Sequence, residues 1–452
     1  MSLRLILTCI VSLAVIALIR PAVEAAPTAE SAPLLYTAAP KYDALAWMQG
    51  ADRFPAGATI FVRDGAVQRP LLPAFFVSAD ASVSFDGQRV LFAGKAKSQD
   101  PWQIWEIQVA GGGPRRITSG PDDCIRPFYL PEDRVVYARK TAGRFVIEAA
   151  NLSGGKPLAL THGPANFLPA DVLRDGRILF EASNPLGSDA APEIYTVYSD
   201  GSGVESYRCD HGKPRHHARQ VSSGDIVFVS RQALARFTSA RAHEVPIAAP
   251  PGEFAGDVAE TSSGEWLIPW RAKNSDSFEL VSWTPGETKL HPVVQQEGSN
   301  VLQPALLSPR TVPNRHPSAL HDWPNANLLC LNAYTSKHSF PRDSIHSVRV
   351  YARDNAGAAK LLGTAPVERD GSFFVQVPND QPLQIELLDA SGKTVKRESG
   401  FFWVRRGEQR VCVGCHAGPE TAPENAVPMT LLKSTTPSDL TGTAAPSAAG
   451  GH

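Results

Sequence analysis

Five segments at a nearly constant interval constrain this chain more than any other feature. They read FDGQRVLF (Phe85–Phe92), PEDRVVY (Pro131–Tyr137), RDGRILF (Arg174–Phe180), SSGDIVF (Ser222–Phe228) and SSGEWLI (Ser262–Ile268). Their last residues are 45, 43, 48 and 40 apart, and each couples a polar turn to a β-branched or aromatic strand. A period of this length with one turn-strand unit per repeat is the signature of four-stranded propeller blades. One blade cannot bury both of its faces, so successive blades must stack around an axis. Between the openings lie further strands, such as PWQIWEIQV (Pro101–Val109) leading to PRRIT, and EIYTVYSDGSG (Glu193–Gly203). A weaker opening at Ala58–Val62 predicts the first blade, and Leu302–Leu307 is placed to close the ring beside it. The expectation is an all-β protein with a propeller over residues 40–307, of six blades, with seven as the alternative.

The pattern changes at Ser308–Pro324 (SPRTVPNRHPSALHDWP), a Pro-rich stretch that reads as a linker. Beyond it, Leu328–Tyr334, Ser347–Ala352, Ser372–Val377 and Leu383–Leu388 are strand-like. Phe373/Val375/Val377 and Leu383/Ile385/Leu387 alternate as half-buried strands do. Turns at Arg369–Gly371 and Asp389–Gly392 separate them. A small β-sandwich-like domain over 325–433 is expected, with a low-complexity tail at 434–452 reading as disordered.

Near the end of that domain Cys412-Val413-Gly414-Cys415-His416 spells CxxCH, the spacing at which haem c is bonded to protein. Two thiols two residues apart reach the two vinyl groups of one porphyrin, and the adjacent His can bind its iron. A zinc site would need a second ligand pair at similar spacing, and none is present. A thioredoxin-like CxxC would need a βαβ context, also absent. One covalent haem c is therefore expected, held by Cys412 and Cys415, with His416 as proximal ligand of the iron. The segment from Cys412 to His452 is too short to wrap a haem alone, so the β domain and the propeller are expected to cover it.

Compartment agrees with that chemistry. Arg4 followed by an apolar run from Leu5 to Ile19, then Val23-Glu24-Ala25-Ala26, reads as a signal peptide over 1–25 cut after Ala25. The run is shorter than a membrane span requires. Periplasmic export is the expectation, an uncleaved anchor the alternative, with no transmembrane segment after cleavage. Cys124, Cys209 and Cys330 then remain besides the haem pair, an odd number that argues against a disulfide framework. The formal net charge of −1 leaves no basic footprint for nucleic acid.

The order of parts resembles a known family. A propeller and a Pro-rich linker are followed by NLLCLNAY, SVRVYAR, ERDGSFFVQVP and LQIELLDASG, and then by GE-x-x-x-CxxCH. This resembles the alpha subunit of hydrazine synthase over roughly residues 40–433, most strongly its middle domain. The resemblance implies a haem protein with a link to nitrogen chemistry. The synthase continues into a further cytochrome domain and uses as iron ligand a Tyr four residues after the motif His, which frees that His for zinc. Glu420 stands at that position here, so ordinary ligation by His416 is expected.

Other residues offer weaker readings. Met429 is the soft side chain nearest the motif and is the candidate distal ligand, although in VPMTLL it also reads as packing. Met48 is less constrained. Asp210-His211 and His216-His217 read as a polar loop of solvated histidines, with a distal ligand or a metal site as the alternative. Cys124 and Cys209 read as buried thiols. Arg405, Arg406 and Arg410 suit haem propionates or plain solvent equally. The preferred function is a periplasmic monohaem redox protein, with a redox partner protein and a small ligand at the iron as expected partners. The alternative is a binding or assembly protein whose propeller docks a partner, with a structural or sensory haem. Whether the chain is an enzyme stays open at this level.

Overall fold

The computed structural model describes residues 33–183, 191–208, 212–354, 357–398, 400–415, 421–422 and 425–442. The leader at 1–25 lies outside them. Six antiparallel sheets form six propeller blades. Blades two to five each use consecutive strands, beginning innermost with Val77–Val83, Cys124–Leu130, Phe167–Val172 and His216–Gln220. Each repeated opening supplies a turn and the second strand: Arg89–Lys95, Arg134–Thr141, Ile178–Ser183, Ile226–Ser230 and, in blade six, Trp266–Arg271. The turns have a common cause. Asp86 Oδ1 accepts the Gln88 amide (3.0 Å) and Asp175 Oδ1 accepts the Arg177 amide (3.0 Å), each mimicking a backbone turn.

Blade one closes the ring. Its inner strand, Asn300–Leu306, comes from the far end of the propeller and pairs with Leu34–Ala39, followed by Thr59–Asp64 and Val67–Pro70. One expectation is corrected here. The propeller includes Leu34–Ala39, ahead of residue 40; Ala58–Val62 lies in the first blade, as expected, and contributes to its third strand. Leu34–Ala39 is buried throughout and reads as a continuous apolar run, without the turn that marks the other openings.

The second domain is a sandwich of two four-stranded sheets. One runs Gln409–Cys412, Ala326–Cys330, Phe373–Val377, Ser438–Asp439; the other runs Ala359–Pro366, Ser347–Arg353, Leu383–Leu388, Thr394–Arg397. Leu328, Phe373, Val375 and Val377 from the first sheet meet Val348, Val350, Leu383 and Leu387 from the second in one core. Ser438–Asp439 pairs in parallel with Val375 and Gln376, so the tail expected from 434 is tied to the sheet at that point.

Trp403 joins the two domains. It is buried in the core of blades three and four, edge-on to Phe167 at 5.6 Å, and its Nε1 donates to Leu160 O at 3.1 Å. The Pro-rich linker follows the turns of the propeller: Arg310 N donates to Phe85 O (2.9 Å), Asn314 N to Arg174 O (2.8 Å), and the His316 ring stacks on Tyr198 at 3.6 Å.

Candidate functional site at the cysteine end of the sandwich

Gln409–Cys412 is an edge strand, paired in parallel with Ala326–Cys330 in a register that sets Cys412 beside Cys330. The Leu331 amide continues the ladder to Cys412 O at 2.9 Å. Cys412 and Cys415 are half-buried and pack against the sandwich core, while Cys330 lies within it. No disulfide links the described cysteines. The turn between the paired cysteines is held by Gly414. A Cβ there would lie 2.0 Å from Thr335 O and 2.9 Å from Asn332 O, so only glycine lets this backbone approach the 332–335 loop.

Burial pushes the Cys412 thiol up, with Arg410 opposing, and pushes Cys330 well above its usual value. A CxxC poised for disulfide exchange needs the reverse, a thiol depressed by a helix N-terminus or a cation. Among the described residues no group of three or more His, Cys, Asp or Glu side chains is arranged to hold a metal ion. The raised thiols speak against the disulfide-exchange reading of the cysteine pair. His416 and Glu420 lie outside the described residues, as do Cys209, Asp210 and His211.

Met429 opens a short helix, Met429–Lys433, that sits on the turn before Phe373–Val377: its amide donates to Asp370 Oδ2 (2.7 Å) and that of Thr430 to Ser372 Oγ (3.0 Å). Because Cys412, Cys330 and Phe373 end their strands at the same edge, Met429 shares that end of the sheet with the cysteines. Two strand spacings separate the turn beneath Met429 from Cys412, about 10 Å across the sheet. Met48 is elsewhere, packed in the propeller core.

The three arginines before the motif have structural employment. Arg410 Nη2 donates to Val204 O of blade four at 2.6 Å, and Arg405 pairs with Asp380 and reaches Asp200 O at 3.1 Å. Arg406 binds Asp322 (2.9 Å) and Trp323 O (3.1 Å) in the linker. Glu408 Oε1 accepts the Gly203 amide at 3.2 Å. The cysteine strand is thus bolted to blade four by its own polar side chains, a role that neither solvent nor propionates describes.

A second polar centre escaped the sequence. Five inner strands carry a bulge register, and Asp80, Arg126, His217, Asp257 and Gln303 all take left-handed φ between 54° and 60° and are buried around the axis of the propeller. Arg126 forks onto Asp257 at 2.5 and 2.8 Å, Arg53 Nη2 binds Asp80 at 2.5 Å, and Gln303 Nε2 donates to Asp80 at 2.6 Å. Glu181 of blade four accepts the His217 amide, and Tyr42 OH meets His217 Nε2 at 2.8 Å. His216 and His217 therefore belong to a buried inner strand, not to a solvated loop; burial lowers His216 to about 4 and holds His217 well below the usual imidazole range. The available signal was a polar residue five positions ahead of four of the five strand openings, which periodicity in apolar residues does not detect. Cys124, by contrast, is a buried thiol of the core, as read.

Residues 333–417, which contain the cysteine pair, match the family described as hydrazine synthase alpha subunit middle domain. The whole chain is similar to the solved Kuenenia stuttgartiensis hydrazine synthase, with a TM-score of 0.78 at 15% identity, over 89% of this chain and 72% of that one. At that identity the likeness is one of fold, and it spans both the propeller and the middle domain. TolB from Acinetobacter baumannii is similar at a TM-score of 0.47 and 14% identity, over 62% of this chain and 68% of that chain. No curated protein matches. No helix among the described residues is long and apolar enough to cross a membrane.

Proposed function

We propose that this chain is an exported haem c protein with a redox role, in which Cys412 and Cys415 bond one haem and His416 is its proximal ligand. The observation that carries the reading is the cysteine pair itself: two thiols ending an edge strand, within the middle-domain segment, on a turn fixed by Gly414. The donor set fits the group. Both thiols are half-buried, so each is reachable from one side, and Tyr334 and Phe340 add apolar surface to the same cluster. The haem would supply one-electron chemistry or an iron position for a small ligand.

The chain's own residues set the surroundings. Arg410 and Glu408 hold the cysteine strand against blade four, so covalent attachment there would fix the group beside the propeller. Met429, at the same end of the sheet, is the distal candidate. The middle-domain match supports a substrate or partner drawn from nitrogen-compound redox chemistry, with a redox partner protein receiving or delivering electrons. Export by the leader to the periplasm, with cleavage after Ala25, is part of the same reading, because haem c is attached there.

An optical spectrum of chain purified from a periplasm with haem-attachment machinery tests it. A reduced c-type spectrum that changes on adding carbon monoxide supports small-ligand chemistry. An unchanged low-spin spectrum shifts the role to electron transfer, and protein without haem absorbance overturns the proposal.

A further inference from the structure

The two ends of the propeller axis differ. Where the inner strands begin, residues 40–58 form a cap: Tyr42 reaches His217 of blade five, Met48 O accepts Asn166 Nδ2 of blade four (2.9 Å), and Asp52 Oδ2 accepts Trp102 Nε1 of blade two (2.9 Å). Where the inner strands finish, the linker skirts the axis on one side, its Arg310 and Asn314 amides bonding to Phe85 O and Arg174 O of blades two and four.

Two guanidiniums meet at this second end. Arg219, from the inner strand of blade five, extends across the axis. Its Nε donates to Asp257 (3.2 Å), its Nη1 lies 3.6 Å from Asp171 of blade four, and its Cζ sits 4.7 Å from the centre of the Phe128 ring of blade three. Arg310, in the linker, places its Cζ 4.4 Å from the Phe85 ring and makes one long side-chain hydrogen bond, from Nη2 to Val83 O (3.4 Å). Each guanidinium thus lays a face on a phenylalanine and leaves N–H edges to be used. Neither Nη of Arg219 donates a hydrogen bond among the described residues, and, unlike Arg53 Nη1, neither is sealed from solvent.

The charges at this end do not cancel. Asp257 is already forked by Arg126 at 2.5 and 2.8 Å, and Asp171 accepts the Val172 amide at Oδ1 (2.8 Å) and the Gln220 amide at Oδ2 (2.9 Å). At the rim, Arg174 and Glu260 are engaged by the Val221–Ser222 turn. Along the whole axis Arg53, Arg126, Arg219 and Arg310 face Asp80, Asp171 and Asp257. Glu181, its carboxyl raised by burial to about 7, offsets the fourth cation only in part near neutral pH. Desolvation lowers the Arg310 pKa, with Asp171 opposing and Arg219 adding, so the two like charges lie within each other's field. Two cations that share one carboxylate attract a further anion.

We infer that this mouth of the axis binds a small, doubly charged oxyanion of the phosphate class, gripped between the N–H edges of Arg219 and Arg310. Guanidinium forks match oxyanion oxygens, and stacking on Phe128 and Phe85 holds the forks in place before a ligand arrives. A bound oxyanion also ties the linker to the axis, since each supplies one of the two arginines. This site is independent of the cysteine pair.

Calorimetric titration of the full chain with inorganic phosphate at constant ionic strength tests the inference, with acetate as companion probe. Saturable binding of one phosphate is expected, with the singly charged acetate weaker by about tenfold or more. Arg310→Gln keeps the backbone bond to Phe85 O and should weaken phosphate by about tenfold. Amide exchange along 83–86 and 308–312 should slow in phosphate, while that along 326–330 should hold. Arg219→Lys keeps the charge but loses the fork and should weaken phosphate as well. Should that variant fail to fold, Arg310→Gln and the exchange pattern still decide. Absence of saturable phosphate binding, acetate binding as tight as phosphate, or an Arg310→Gln variant that binds phosphate as the native chain does would each overturn the inference.

Discussion

The propeller and the sandwich solve the same problem, covering both faces of small sheets, in opposite ways. Five of the six blades take their strands from consecutive sequence, so every pairing within them is a local hairpin. The sandwich instead lays Gln409–Cys412 in parallel beside Ala326–Cys330 and sets Phe373–Val377 on the other side of it. Charge follows the same division. The propeller buries one cluster of ion pairs on its axis besides surface pairs such as Arg177–Glu205, whereas the sandwich uses Arg405, Arg406, Glu408 and Arg410 for attachment to blade four and the linker. Local pairing builds five blades and one long-range pairing, Asn300–Leu306 on Leu34–Ala39, closes the ring; in the sandwich long-range pairing gives an edge strand whose end carries two thiols.

The largest effect should come from breaking the axis. Arg126→Met leaves Asp257 buried with Arg219 as its remaining ion partner, and removing one member of a buried pair costs about 3–5 kcal/mol. Chemical denaturation should show the propeller transition moving while the sandwich transition holds. Coincident shifts of both would mean that the domains unfold as one.

Trp403→Phe sharpens the comparison at the joint. It keeps an aromatic ring but strands the carbonyl of Leu160, at a cost of about 1–3 kcal/mol. Hydrogen exchange should rise in both domains along 158–165 and 401–412. Exchange confined to one domain would contradict a shared core.

A pH series addresses the axis more finely. Burial raises Glu181 from 4.5 to about 7. The fold therefore holds its proton more tightly than the unfolded chain, so this contribution is complete below about 4.5 and is lost as pH rises through 7. His216, lowered from 6.5 to about 4, acts oppositely: its contribution is complete above 6.5 and is lost as pH falls through 4. Glu181→Gln removes only the first. The stability of the variant relative to the native chain should climb between these pH limits for Glu181, by up to about 1.4 kcal/mol per unit, and stay level outside them. A difference independent of pH would contradict a buried, titrating Glu181.

Met429→Leu should do least to the fold, costing under about 1.5 kcal/mol, because volume is kept and the side chain is only half-buried. Its informative readout is the haem spectrum. An unchanged spectrum assigns Met429 to packing; a low-spin spectrum lost in the variant assigns it to the iron.

How much of this was legible in the sequence follows the contrast between the domains. The repeated turn-strand openings gave the blades because a hairpin is written in adjacent residues. Leu34–Ala39 was missed because a fully buried strand has no alternation. Ala359–Pro366, Thr394–Arg397 and Gln409–Cys412 were missed because edge strands carry polar residues, and these do not distinguish a strand from a loop. The spacing of Cys412 and Cys415 was legible. Their neighbour Cys330 was not, since parallel pairing brings it there from another part of the chain. The axial cluster was invisible for the same reason: different blades contribute its polar residues a few at a time, and only closure of the ring assembles them.

The central claim is that the local thiol pair, and no other site, holds one haem. Intact mass of the chain purified from a haem-attaching periplasm tests it most directly, alongside Cys412→Ala/Cys415→Ala and Cys330→Ala variants. The account predicts a single haem adduct, absent from the double variant and retained in Cys330→Ala. A native chain with no adduct, or an adduct that survives the double substitution, would contradict it.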